Sequence, residues 1–179
     1  ANSDASAGSL AEIERVVNRI RARWPEVRLI LRADSGFCRD ELMSWCEQQH
    51  KVDYVFGMAR NERLRKVIAA ALAEAAAASE CTRQPARVFT EFQHTTTTGS
   101  WSRERRVVAK AEHIQGKENP RYIVTSLGAT DWSAQKLYEE LYLRHSREMT
   151  QVCSRKLTHL PGAAGRFSPA GKCRARHSL

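Results

Sequence analysis

Val27-Arg-Leu-Ile-Leu-Arg-Ala-Asp34-Ser-Gly-Phe37 passes from a block of β-formers straight into turn chemistry, and the acid stands at the junction. Val27, Leu29, Ile30 and Leu31 form a short apolar run between Pro25 and Ser35-Gly36, which predicts a buried strand ending at Asp34. The carboxylate is then expected at the C-terminal tip of a strand. In open α/β sheets that edge collects ligands and catalytic groups, because the loops leaving the strand tips form the crevice. Gly36 permits a sharp turn, and a helix is expected from Arg39. The same residues allow a second reading, in which Asp34 caps the turn or the next helix, since Asp-Ser-Gly also favours turns.

Upstream, Leu10, Ile13, Val16, Val17, Ile20 and Trp24 recur at three- and four-residue steps, with Arg15, Arg19 and Arg23 on another face. This predicts an amphipathic helix ended by Pro25. Residues 1–9 are small and polar and begin without Met, as expected of a cut edge or a mobile leader. Downstream, residues 39–50 repeat the helical period and residues 53–58 form a second short apolar run, giving strand, helix, strand and hence a parallel unit. Trp45 and Cys46 fall at core spacing on that helix. Residues 61–81 read as one long Ala-rich helix with Leu64, Val67, Ile68 and Leu72 as its core stripe.

Pro85 marks a change. Residues 87–92, 100–111 and 121–126 lean to β structure and are separated by polar, Gly- and Pro-containing loops. They form either a separate β-rich piece or an extension of the first sheet, and the sequence leaves both open. Trp101, Arg103, Arg105 and Arg106 make the densest aromatic and basic mixture in the body of the chain. Such a mixture can neutralise phosphates and stack on an unpaired base. It can equally be a charged edge strand with one Trp folded onto the core. A last helix is expected to start near Asp131, capped by Ser133 or Asp131, with Leu137, Tyr138 and Leu141 packing inward.

The 179 residues suffice for one domain with a real core. The formal net charge is +9 and the isoelectric point about 9.7, which fits a nucleic-acid partner. Residues 149–179 carry six Lys and Arg and no acid, so only +3 remains for everything before them. The five cysteines are scattered without a paired motif, which excludes a zinc knuckle or a secreted disulfide framework and predicts idle thiols in a reducing cytoplasm. No apolar run is long enough to span a bilayer.

Several blocks in order, RADSGF, RDELMSWCE, VDYVFGMARNERL, residues 100–113, NPRYIVTSL and LYEELYLR, resemble the catalytic block of bacterial insertion-sequence transposases of the DDE superfamily, up to about Glu148. The resemblance implies an α/β fold: an incomplete RNase H-like core in residues 1–84, a β-rich insertion in 85–127 between the second Asp and the final Glu, and a catalytic helix in 128–148. Residues 149–179 are then a basic tail, expected to be disordered or read out of frame, since loss of all acids with enrichment in Arg, Ala, Gly, Pro and Ser is what a frameshift in a GC-rich gene produces.

Carried over residue by residue, the resemblance makes Asp34 the second and Glu148 the third of three metal-binding catalytic carboxylates. It makes Tyr142, Arg144, Arg155 and Lys156 DNA contacts. The first Asp is expected upstream of Ala1. The family pattern has two residues between Tyr and Arg where this chain has one, and His145 and Met149 stand where Gly and Asn are usual. The implied cofactors are two Mg2+ or Mn2+ ions about 3.5–4 Å apart, held by oxygen ligands as hard ions require. The implied partners are the terminal inverted repeats of the element's DNA and a second copy in a synaptic complex, with no membrane, in the cytoplasm at the nucleoid. The activity implied is DNA strand cleavage and strand transfer, expected to be lost in this chain alone. Two other readings stay open: a non-catalytic remnant that binds DNA non-specifically, and an unrelated α/β hydrolase using Asp34. The missing nucleophile elbow and phosphate loop speak against the second of these.

Overall fold

The computed structural model describes residues 8–97 and 99–143. Helix α1 (Ser9–Arg23) leads into β1 (Leu29–Ala33), a single 3-10 turn (Ser35–Phe37), α2 (Asp40–Gln48) and β2 (Val52–Met58). This is the expected helix, strand, helix, strand order, and β1 and β2 pair in parallel with Ala33 opposite Phe56. The helical segment that follows is broken into α3 (Glu62–Val67) and α4 (Ala69–Thr82), where one continuous helix was expected. Ile68 leaves helical geometry at the joint, with φ −102° and ψ 18°. Leu64, Ile68 and Leu72 are buried, whereas Val67 is 52% exposed. The true stripe thus runs at four-residue steps and omits Val67, which lies to one side of it.

The remaining strands are β3 (Ala86–His94), β4 (Arg105–Ile114), the two-residue β5 (Lys117–Glu118) and β6 (Arg121–Thr125). β4 starts five residues later than the sequence reading, because residues 100–104 form a loop. Gln115 and Gly116 join β4 to β5 with φ of 50° and 74°, the paired left-handed geometry of a tight two-residue hairpin. Of the two arrangements left open by the sequence, the structure adopts the continuous one. Among the described residues the strands form one mixed sheet in the order β1-β2-β6-β4-β3, with β5 paired to β4, and β6 runs antiparallel to both β2 and β4.

The two faces of this sheet follow from the period of two along each strand. Tyr54 and Phe56, Val107 and Ala109, and Tyr122 and Val124 point to one side, where they pack on Val17, Met43 and Leu64 of the helices. Val55, Val108 and Ile123 point to the other side and meet Leu137 and Tyr138. These last residues belong to the final segment, which opens as a short helix α5 (Ala134–Lys136) capped by Ser133, whose Oγ accepts from the Lys136 N–H at 3.4 Å. It continues as a π-helix over Leu137–Leu143. Cys38 is half-buried and Cys46 buried, and both are free thiols. Burial pushes each of them up to about 12, so they stay protonated and unreactive. No helix among the described residues is long and apolar enough to cross a membrane.

Candidate active site

Asp34 follows the last residue of β1 and is exposed to solvent. Its backbone is extended, and its Oδ1 accepts the Gly36 N–H at 2.9 Å, which makes it the cap of the 3-10 turn. Both readings of the sequence therefore hold at once: the acid caps its turn and also stands free at a strand tip. Oδ2 makes no hydrogen bond among the described residues.

The parallel β1–β2 pair and the antiparallel β2–β6 pair bring three chain ends to one edge of the sheet. The end of β2 stands beside Asp34, and Met58 of β2 lies opposite Tyr122 of β6. Together with the π-helix they enclose a cleft of about 360 Å³ that opens on Asp34, Ser35, Gly57, Arg60, Arg121 and Tyr142. Asp34 is the single carboxylate lining it among the described residues, and no group of three or more His, Cys, Asp or Glu placed to hold a metal ion occurs among them.

Gly57 sets how closely the final segment approaches. A Cβ there would lie 2.7 Å from the Tyr142 hydroxyl oxygen and 3.2 Å from the Ser35 nitrogen. With glycine, the phenol rests directly on the strand beside Asp34. The Arg32 guanidinium carbon lies 5.2 Å from the centre of the Tyr142 ring, and the Tyr138 and Tyr142 rings lie 5.5 Å apart. Burial raises the Tyr142 pKa; Arg32 pulls it down and Asp34 pushes it up. Burial likewise lifts Tyr138 to about 12. Both phenols are therefore neutral hydrogen-bond donors at neutral pH.

Of the four residues in the 101–106 stretch expected to contact DNA, three are buried. Trp101, Arg105 and Arg106 are 8%, 3% and 9% exposed. Arg105 donates to Asp40 Oδ1 at 2.6 Å, to Glu47 Oε1 at 2.8 Å and to Ser44 Oγ at 2.9 Å, and its guanidinium lies over the Trp101 ring. Burial alone would lower its pKa; the hydrogen bonds to Glu47 and Asp40 outweigh that and hold it above the ordinary arginine value. Arg106 donates to the carbonyl oxygens of Leu127 and Trp132 at 2.8 and 2.7 Å, which ties the approach to the final segment onto β4. Most of these guanidinium donors are thus engaged within the protein, while the buried Arg106 Nε has no partner among the described residues. Arg103 alone of the four is exposed, paired with Glu47 at 2.6 Å.

Tyr142 lines the cleft, half-buried on the π-helix. Glu148, Arg144, Arg155 and Lys156 lie outside the described residues, as does the tail of residues 149–179. Sequence reading missed Gly57, Arg60 and Arg121. Arg121 was visible only as the first residue of an expected strand, and nothing local tied it to Asp34.

A protein-family model for the transposase DDE domain group 1 matches residues 1–155 of this chain. No curated protein and no solved structure matches it.

Proposed function

The chain belongs to the transposase DDE domain group 1 family, and from that membership we propose that the Asp34 cleft receives a DNA phosphodiester for metal-dependent strand cleavage and strand transfer. The observation that carries this reading is the exposed Asp34 carboxylate at the tip of β1, with one oxygen uncommitted, in a cleft shared with two arginines. In this reading the parallel β1–β2 unit with its helices is part of an RNase H-like core, and β3 to β6 are the β-rich insertion fused to its sheet. The parallel pair followed by a purely antiparallel series supports that division.

The family generally uses divalent metal ions. A carboxylate whose Oδ1 is steadied by the Gly36 N–H and whose Oδ2 is open suits a hard cation, which prefers oxygen. When bound, such an ion neutralises charge on the phosphate and activates a water or a 3′ hydroxyl. Asp34 would hold it, joined by Glu148 in the role the family resemblance assigns. Asp34 and Glu148 are two of the three carboxylates that the family resemblance implies for a pair of ions, and we propose that this chain binds metal weakly and does not cut DNA unaided. Tyr142 supports a neutral hydrogen bond to a phosphate oxygen, and Arg103 is the exposed basic residue of the loop before β4. Trp101, Arg105 and Arg106 serve that loop and the final segment by holding them in place.

Mn2+ titration followed by water-proton relaxation tests the assignment without relying on turnover. Asp34→Asn is expected to reduce Mn2+ binding to the level of non-specific surface sites, and unchanged binding would remove Asp34 from the metal site. Incubating the protein with Mn2+ and its element's terminal-repeat DNA is expected to give no nicking. Specific nicking that disappears in Asp34→Ala would overturn the inactivity of the isolated chain.

A further inference from the structure

Resting on the reading of the cleft as a DNA site, we propose that Arg121, with Arg60 beside it, is a phosphate anchor on the wall opposite Asp34. It binds the DNA backbone next to the phosphate that Asp34 faces. The argument is one of local charge. The acids around this wall are engaged by other cations: Glu118 and Glu62 share Arg65, at 2.7 and 3.3 Å, Glu112 pairs with Lys110 at 2.7 Å, and Glu139 pairs with Arg87 at 2.8 Å. Arg121 has no ion pair or hydrogen bond among the described residues, and Arg60 has only a long contact to Asn119 at 3.4 Å. Both are exposed and both line the cleft. The wall therefore carries surplus positive charge facing an opening that contains a single acid.

Geometry restricts what that charge can bind. β1 and β6 are separated by one intervening strand, hence by about 10 Å at the usual spacing. A partner spanning that interval must carry an oxyanion at the Arg121 wall as well as one at Asp34. A polyanionic backbone with evenly spaced phosphates does so, and a guanidinium can take two oxygens of one phosphate in parallel. Arg121 opens β6 and pairs with Lys110 of β4, so its backbone is fixed by the sheet before any DNA arrives.

The test is a fluorescence-anisotropy titration of the whole chain with a fluorescein-labelled duplex oligonucleotide, repeated over a series of salt concentrations. Arg121→Ala is expected to weaken binding to all sequences alike and to lower the slope of log affinity against log salt by about 1, the signature of one lost phosphate contact. Arg19→Ala, an exposed arginine on α1, is expected to leave the slope unchanged. Arg121→Lys is expected to retain most of the slope with reduced affinity, because it keeps the charge without the paired donors. Thermal melts check folding, and Arg121→Gln serves if the alanine variant melts early. A folded Arg121 variant with wild-type slope and affinity overturns the anchor. If Arg121→Ala has no effect while Asp34→Asn abolishes Mn2+ binding, the anchor fails and the cleft assignment stands. If Arg121→Ala lowers the slope while Asp34→Asn keeps full Mn2+ binding, the anchor stands and the metal assignment falls.

Discussion

Gly57 decides at a single position whether the final segment can reach the Asp34 edge of the sheet. The Tyr142 oxygen occupies the space that any side chain would need, and the Ser35 nitrogen blocks the other way out. Gly57→Ala is expected to force Tyr142 off the strand and to cost about 1–3 kcal/mol, as overpacking of a well-filled site does. The double variant Gly57→Ala with Tyr142→Phe removes the clashing oxygen and is expected to recover most of that loss. Urea denaturation of the single and double variants checks it: a double variant no more stable than Gly57→Ala alone would show that the clash lies with the Ser35 backbone. Asp34, a few ångströms away, is different in kind, because its carboxylate is exposed, and in the proposed reading its substitution is expected to touch binding far more than folding. Its place at a strand tip could be read from its neighbours in sequence, whereas the role of Gly57 depends on a tyrosine 85 positions later.

At the scale of elements, α2 is held to the loop before β4 by an ionic cluster. Asp40 accepts from the Ser102 N–H at 2.8 Å and from Arg105 at 2.6 Å, while Glu47 takes Arg105, Arg103 and the Tyr54 hydroxyl. Burial alone would raise the Asp40 pKa; the Ser102 N–H and Arg105 outweigh it and hold the carboxyl below its ordinary 3.8. A carboxyl whose pKa is lower folded than unfolded stabilises above the unfolded value, and that contribution disappears as pH falls through the folded value. The clamp is therefore expected at full strength above about pH 4 and to weaken below it. Asp40→Asn is expected to cost about 1.5–3 kcal/mol at neutral pH, the range for hydrogen bonds to charged groups. The gap in melting temperature between it and the parent should close as pH drops below about 4. A gap independent of pH would mean that shape, not charge, holds α2. The burial of Trp101 follows from the same cluster: its ring covers Arg105 and meets His94 edge-on, at ring centres 5.6 Å apart.

For the molecule as a whole, charge is distributed along the chain more unevenly than the net +9 implies, since six of those charges fall in residues 149–179 without an acid among them. Non-specific DNA affinity of the whole chain is expected to reside mainly there and to fade steeply with salt. Removing residues 149–179 is expected to abolish most of it and to leave the weaker contribution of Arg121 and Arg60; affinity and sequence preference that survive intact would move binding to the body of the chain. The order of helices and strands through residue 58, the parallel β1–β2 step and the place of Asp34 at a strand tip are all legible in the residues. These depend on apolar periodicity and turn residues, which act within a few positions. The sequence also carried the family, through several blocks in fixed order. That β3, β4 and β6 continue the same sheet, and that Arg60 and Arg121 share a cleft with Asp34, emerges with the folded chain. Folding alone turned Trp101, Arg105 and Arg106 inward. The physical reason is that a cation is exposed or buried according to where its acid stands. For Arg105 that acid is Asp40, 65 positions away, and only folding brings the two within hydrogen-bonding distance.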